Sequence, residues 1–126
     1  RMRKGMLLAL DFFQTYFPEL ELKGVWSESW LYDPGLRAIL PPNSRIVRVQ
    51  KQLYCFPTPE GDRQIRRELF GTLTPDLSQS GTTSLQKGVL DALRQGRRFH
   101  TMGMIVLREE AEAIGCDPYQ GGEAIL

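Results

Sequence analysis

Glu28 stands between two tryptophans in the segment VWSESWLY, residues 25–32. If this segment is a strand, alternation places Trp26, Glu28, Trp30 and Tyr32 on one face. A carboxylate beside apolar rings is a candidate general base. The two tryptophans would then line a ligand site or a domain interface. The simpler alternatives are an exposed carboxylate near a sheet edge and two tryptophans packed in the core.

His100 is the single histidine, and it lies in RRFHTMGMIVL, which has the pattern of a strand. An imidazole commonly acts as a general base near neutral pH. No Ser or Cys nucleophile is tied to His100 by local spacing. The simpler interpretation is therefore a strand histidine that is exposed or bonded to the backbone.

The sequence contains no strong phosphate-binding motif. It contains no P-loop and no GxGxxG, and GTLTPDLSQSG lacks the Lys-Ser/Thr ending of a phosphate loop. The basic clusters RQIRR (63–67) and RQGRR (94–98) could attract a phosphorylated ligand, although such clusters are usually solvated. The RNA-stacking motif of RRM domains is also missing.

The two cysteines, Cys55 and Cys116, have no CxxC partner and no histidine at metal-binding spacing. We therefore expect two free thiols in a reducing cytoplasm and no bound metal.

The bulk properties fit one soluble domain. The chain has 126 residues, of which 41% are hydrophobic and 25% charged, and this length can bury a core without disulfides or metals. The net charge of +1 provides no basic field for nucleic acid. No apolar run reaches the roughly 18 residues of a membrane span. Because the first residue is Arg, we expect a domain of a longer protein, although a trimmed chain would look the same.

The order of predicted elements indicates an α+β domain. A helix over Met6 to Phe17 has an apolar face wide enough to cover a sheet or a neighbouring domain. The segment VWSESWLY follows as a strand, and DPGLRAIL as a short helix capped by Asp33. Arg45 to Phe56 has the clearest strand alternation in the chain.

Later segments complete the prediction. RQIRRELFG fits a helix or a returning strand, whereas TTSLQKGVLDALRQG is a helix that Thr83 and Gln86 begin with a capping box. In the following strand, Gly103 marks a bulge or a close approach. REEAEAIG is predicted as a short charged helix before a poorly ordered end, CDPYQGGEAIL. We expect one α+β domain over residues 1–107, with a small, mainly antiparallel sheet and packed helices, and a short helix and tail over 108–126.

An ordered set of residues resembles the GNAT-like C-terminal domain of bacterial acyltransferase-domain proteins. The resemblance spans roughly residues 10–107. It rests on SWLYDPGLRAILPPNSRIVRVQKQL, on the Phe70-Gly71 pair and on TTSLQKGVLDALRQGRRFHTMGMIVL. The matching positions are Ser29, Trp30, Leu31, Pro34, Leu36, Leu40, Pro41, Ser44, Gln50, Thr83, Leu85, Gln86, Gly96 and Gly103.

This resemblance implies a GNAT-like fold and a role in acyl transfer from acyl-CoA or acetyl-CoA to an amine, in a bacterial cytoplasm. The domain would supply the acceptor side of the active site, with Glu28 as base and Tyr54 or His100 as acid. The Arg/Gln-x-x-Gly-x-Gly/Ala pyrophosphate loop of such enzymes is missing, and the helix start at Thr82 to Gln86 could offer amides instead.

The expected partner is the N-terminal domain of the same parent chain, with a homodimer as an alternative and no nucleic acid or membrane. The competing interpretation is a non-catalytic domain that mediates contacts within its parent protein or with another protein. The wide helix face and the two tryptophans motivate it.

Overall fold

The computed structural model describes residues 2–113. Within them the chain forms four α-helices, three strands and three short 3-10 helices. In chain order these are α1 (Met2–Tyr16), β1 (Gly24–Ser29), 3-10 helices at Trp30–Tyr32 and Pro34–Ala38, α2 (Arg45–Gln50), β2 (Tyr54–Pro57), α3 (Arg63–Phe70), α4 (Ser84–Arg94), β3 (Met102–Leu107) and a 3-10 helix at Arg108–Ala113. The predicted tail CDPYQGGEAIL, with Cys116, lies outside the described residues.

The three strands form an antiparallel sheet in the order β1-β3-β2. The last strand in the sequence therefore lies in the centre. Ile105 of β3 pairs with Trp26 on one side and with Tyr54 on the other. The α+β class and the small antiparallel sheet are confirmed.

One face of the sheet packs against α1 and forms the first core cluster. Met104 and Val106 of β3 are 2% exposed and contact the α1 side chains Met6 and Leu10. Full burial of a side chain of this size contributes about 1.5–3 kcal/mol. Ala111, which follows β3, is also fully buried in this cluster, so the 3-10 helix after the sheet packs with it.

A second core cluster joins α3, α4 and the Pro34–Ala38 helix without using a strand. Its buried members are Leu36, Ile65, Val89, Ala92, Leu93 and Phe99. The capping box predicted for α4 is confirmed, because Thr83 and Gln86 exchange both bonds. The ambiguous segment RQIRRELFG is a helix that ends at Gly71, whose φ of 69° is left-handed.

The strand predicted over Arg45 to Phe56 is wrong in its first half. The Ser44 hydroxyl accepts a hydrogen bond from the Val47 amide at 3.1 Å and starts helix α2. Gln50 ends this helix and is 2% exposed. Its amide nitrogen donates to the carbonyls of Leu31 (2.8 Å) and Asp33 (2.9 Å). These tertiary bonds outweigh the alternating pattern, and the strand begins only at Tyr54.

Three other boundaries differ from the sequence prediction. Strand β1 ends at Ser29, because the Ser29 hydroxyl accepts from the Leu31 amide at 3.1 Å and begins a 3-10 turn. The last strand begins at Met102 and leaves His100 outside the sheet. Helix α1 begins at Met2, four residues earlier than predicted, and DPGLRAIL forms a 3-10 helix capped by Asp33.

We expect the substitution Gln50→Ala to lower the free energy of unfolding by about 1–3 kcal/mol. It removes both donated bonds, and also the one that the Gln50 oxygen accepts from Arg37 Nε at 2.9 Å, so buried carbonyls lose their partners. Urea unfolding monitored by circular dichroism measures the change. Lys51→Ala, at the neighbouring exposed position, is the control. Equal midpoints for the two variants would contradict the role of Gln50.

Alkylation of Cys55 should be slower in the folded chain than in the unfolded one. Cys55 packs against the first cluster, and burial raises the pKa of its thiol, with a smaller opposing effect from the charge of Arg37. Because the thiolate is the nucleophile, the folded protein reacts appreciably only at higher pH. Iodoacetamide labelling over a pH series, in a Cys116→Ser background with and without urea, measures this. Equal rates in both states would show that Cys55 is not shielded.

Candidate functional site

The side of the sheet that faces away from α1 is exposed and largely apolar. We call it the open sheet face. It consists of Trp26, Glu28, Tyr54, Phe56, Ile105 and Leu107. Strand alternation puts these residues on one side while Met104 and Val106 face the core. Trp26 is 58% exposed and Tyr54 51%, far above what a core aromatic shows.

Strand pairing fixes the layout of this face. Trp26, Ile105 and Tyr54 form one row across all three strands. Since neighbouring strands lie about 4.8 Å apart, the backbones at Trp26 and Tyr54 are about 10 Å apart, with Ile105 between them. The row therefore makes an apolar floor with an aromatic ring at each side.

The next row along the strands contains Glu28, Gly103 and Phe56. Gly103 forms no bulge, because the pairing register continues past it. The Phe56 ring takes the space above it, and a Cβ on Gly103 would lie 2.5 Å from that ring. The predicted close approach at Gly103 is thus confirmed. The carboxylate of Glu28 stands in the same row as the Phe56 ring.

Glu110 is a residue that sequence reasoning missed. The Tyr54 hydroxyl donates to Glu110 Oε1 at 3.3 Å, and Glu110 Oε2 is buried with no hydrogen-bond partner among the described residues. A carboxylate oxygen in that state carries a desolvation cost. In the sequence Glu110 is one of three glutamates in a charged helix, and nothing marks it as a neighbour of Tyr54. Tyr54 thus has an acidic partner within the fold.

Two of the predicted site residues lie elsewhere. The Trp30 amide donates to Gln64 Oε1 at 2.7 Å, and the Trp30 side chain packs against the second core cluster. The predicted ridge of two tryptophans therefore does not form, because β1 ends at Ser29. The His100 amide donates to Asp33 Oδ2 at 2.5 Å, and His100 Nδ1 lies 3.9 Å from the same oxygen. The structure thus brings together Trp26, Glu28 and Tyr54.

A cavity of about 850 Å³ lies beside the start of α4, under the loop 71–83. The polar groups at the helix start already have hydrogen-bond partners in neighbouring side chains. Gln86 Oε1 accepts from the Thr82 amide at 2.9 Å and from the Thr82 hydroxyl at 2.6 Å, and the Gln86 amide donates to Thr83 Oγ1 at 3.1 Å. These groups have internal partners, so the idea that they hold a phosphate gains no support.

The loop 71–83 is held down by side chains that bond its carbonyls. Arg94 of α4 donates from Nε to the Leu77 carbonyl at 2.5 Å and from a second nitrogen to the Gln79 carbonyl. Inside the loop, the hydroxyl and the amide of Ser78 both donate to the Asp76 carboxylate, which lowers the pKa of that group. The loop thus has a defined path above the cavity.

A second, smaller cavity of about 310 Å³ lies at the start of α3. It is lined by Gly61, Asp62, Arg66, Arg98, Phe99 and His100. The two basic clusters of the sequence meet here, because Arg66 comes from RQIRR and Arg98 from RQGRR. His100 belongs to this cavity.

Residues 2–113 contain no group of three or more His, Cys, Asp or Glu side chains placed to hold a metal ion. In that part of the chain, no helix combines the length and apolar character needed to span a bilayer.

Comparison with known proteins gives one family and one group of structures. The family model described as "GNAT-like C-terminal domain" matches residues 2–105. No curated protein matches the sequence.

Solved acyltransferase structures share the fold. An acyltransferase mutant in complex with octanoyl-CoA and an acyltransferase in complex with CoA and 10C-teicoplanin each superpose with a TM-score of 0.71 at 26% identity. Each match covers 83% of this chain and 35% of the other. A complex with decanoyl-CoA and teicoplanin has a TM-score of 0.68 at 27% identity, covering 79% and 33%. The chain spans about a third of the length of these acyltransferases.

Replacing Arg94 with Ala should expose the loop 71–83 to protease, because the loop loses its bonds at Leu77 and Gln79. We expect cleavage by thermolysin before Leu73 or Leu77 to become several-fold faster, while the melting temperature changes little. Mass spectrometry of timed digests locates the cuts. Arg97→Ala, an exposed position nearby, is the control. If both variants are cut at the wild-type rate, Arg94 does not hold the loop.

Proposed function

This chain belongs to the family of GNAT-like C-terminal domains, and on that premise we propose that it supplies the acceptor side of the active site in an acyl-CoA-dependent N-acyltransferase and that the same surface also contacts the acyl chain of the donor. The observation that carries the proposal is the open sheet face, where Trp26, Glu28 and Tyr54 surround an apolar floor. The similarity to acyltransferases crystallised with CoA or acyl-CoA supports the choice of donor.

The proposed reaction joins an amine to the acyl group. The amine nitrogen attacks the thioester carbonyl carbon, so that a C–N bond forms and the C–S bond breaks. The Glu28 carboxylate accepts a proton from the amine, and the Tyr54 hydroxyl exchanges its bond to Glu110 for one to the departing sulfur and gives that sulfur its proton. The products are an amide and CoA, and solvent restores the two protonation states.

The spacing of the two groups suits this division of roles. Glu28 and Tyr54 lie on strands separated by β3 and are offset by two residues along the sheet. From strand geometry their backbones are about 12 Å apart. Both side chains extend from the same face, so a reacting centre fits between them. His100 is less suited to the acid role, because it lies at the cavity beside α3.

The apolar floor fits an extended acyl chain better than an acetyl group. Trp26, Ile105 and Leu107 offer exposed apolar surface, and each buried methylene contributes about 0.8 kcal/mol. We therefore propose that the donor carries an acyl group of medium length, as in the octanoyl-CoA and decanoyl-CoA complexes of the similar acyltransferases.

A second candidate function is an interaction domain. The outer face of α1 exposes Leu8, Phe12, Phe13 and Tyr16, together with Phe17 and Leu20 beyond the helix. Neighbouring rings contact one another, with centroids 4.8 Å apart for Phe12 and Tyr16 and 5.9 Å apart for Phe13 and Phe17. Neighbouring exposed apolar side chains of this kind are typical of an interface.

On either function we propose that an N-terminal domain of the parent chain covers the outer face of α1, with a second copy of the chain as the alternative. A bacterial, cytoplasmic setting without nucleic-acid or membrane partners remains part of the proposal. It accords with the net charge of +1 and with Cys55, which is a free thiol within the part of the chain that the structure describes.

Calorimetric titration with acetyl-CoA, octanoyl-CoA and decanoyl-CoA tests the proposed function. We expect octanoyl-CoA and decanoyl-CoA to bind more tightly than acetyl-CoA, and Trp26→Ala to weaken binding of the longer donors about tenfold, because a large apolar contact is lost. Phe12→Ala, an aromatic truncation on the outer face of α1, is the matched control.

Other results would count against the acyltransferase site. If the two variants bind equally well, the acyl chain does not lie on the open sheet face. If no acyl-CoA binds, the interaction domain becomes the better account.

A further inference from the structure

The small cavity beside α3 gathers cationic side chains that are distant in sequence. Arg66 lies in α3, whereas Arg98 and His100 precede β3, and all three line the same space of about 310 Å³. This volume lies at the lower end of the roughly 300–1,000 Å³ typical of small-molecule sites. The proposed acyl-transfer chemistry uses none of these residues.

The charged side chains that line the cavity itself, Asp62, Arg66 and Arg98, carry one excess positive charge. Arg66 Nε lies 2.6 Å from Asp62 Oδ2, and both side chains are less than a third exposed. Because their charges are opposite, the pair as a whole is neutral. Arg98 adds a further positive charge at an exposed position. An arginine next to a neutralised pair attracts an anion and can donate two parallel hydrogen bonds to phosphate oxygens.

Asp33 is the other acidic group beside this cavity, and its negative charge lies next to His100, with Oδ2 3.9 Å from His100 Nδ1. It is 5% exposed, and its two oxygens accept from the Gly35 amide at 2.8 Å and from the His100 amide at 2.5 Å. The second of these bonds fixes the backbone at His100. The imidazole, 49% exposed, stands at the rim, where it can donate a hydrogen bond to a ligand.

The N-terminal end of α3 lies at the same place. The Asp62 carboxylate bonds Arg66 and does not cap the helix. Gly61 and Asp62 line the cavity, so the positive end of the helix dipole adjoins the arginines. This contribution reinforces the side-chain charges.

We propose that this cavity binds a phosphate monoester, held by Arg98 with His100 and the Arg66–Asp62 pair around it. Resting on the proposed function, the ester is the 3′-phosphate on the adenosine of acyl-CoA. The same chemistry would also accept the phosphate of a separate small molecule. The cavity is too small for the whole donor, so only this end of the molecule enters it.

A comparison of CoA with 3′-dephospho-CoA tests the proposal. We expect the wild-type chain to bind CoA about tenfold more tightly, since a charge-assisted hydrogen bond is worth about 1.5–3 kcal/mol. Arg98→Gln should lose this preference and bind both ligands as weakly as the wild type binds 3′-dephospho-CoA. Arg97→Gln, at the neighbouring exposed arginine outside the cavity lining, should keep the preference. Melting curves establish that both variants fold.

Two further probes show which ligand carries the phosphate, and they test the phosphate site independently of the proposed acyltransferase function. Adenosine 3′,5′-bisphosphate binding that depends on Arg98, in the absence of any acyl-CoA binding, supports the phosphate site and contradicts the acyltransferase role. Inorganic phosphate binding that depends on Arg98, without a preference for CoA, supports a separate phosphorylated ligand. Equal binding of every probe by the wild type, Arg98→Gln and Arg97→Gln overturns the proposal.

Discussion

The buried amide of Gln50 is the interaction on which the layout of the molecule depends. It joins helix α2 to the two carbonyls that follow β1, and it accepts a bond from Arg37. These bonds fix the turn after Ser29, and that turn sends Trp30 into the second core cluster while Trp26 stays on the open sheet face. Asp33, whose carbonyl Gln50 holds, in turn places His100 beside the α3 cavity. One buried side chain thus determines which candidate residues can act together.

The two faces of β3 have different roles: one packs in the core, and the other forms part of the proposed site. Met104 and Val106 point towards α1 and supply the first core cluster, whereas Ile105 and Leu107 form the middle of the open sheet face. Both neighbours of β3 add their aromatic residues to that outer face. The proposed donor and acceptor therefore meet on a surface whose opposite side is tightly packed, which restricts movement of the reacting groups.

Sequence patterns predicted the elements that carry local signals. The Thr83–Gln86 capping box, the Asp33 cap and the amphipathic α1 were all visible from residue types. The strand predicted from Arg45 was wrong, because Ile46, Val49 and Gln50 also have the three- and four-residue spacing of a helix, and the deciding bonds of Gln50 reach residues 17 and 19 positions away. For the same reason, Glu28 and Tyr54 could be proposed separately, but their shared face follows only from pairing with β3. Tyr54 and Glu110 are 56 positions apart in the sequence, so no local sequence pattern indicates their contact.

The strand order has a consequence for synthesis on the ribosome. Within residues 2–113, strands β1 and β2 do not pair with each other, and each has its strand partner in β3, which is the last of the three to be made. A growing chain that stops before residue 102 therefore carries two unpaired strands, whose exposed edges invite association with other chains. Sheet formation must wait until β3 has emerged from the exit tunnel, so the domain closes late in synthesis.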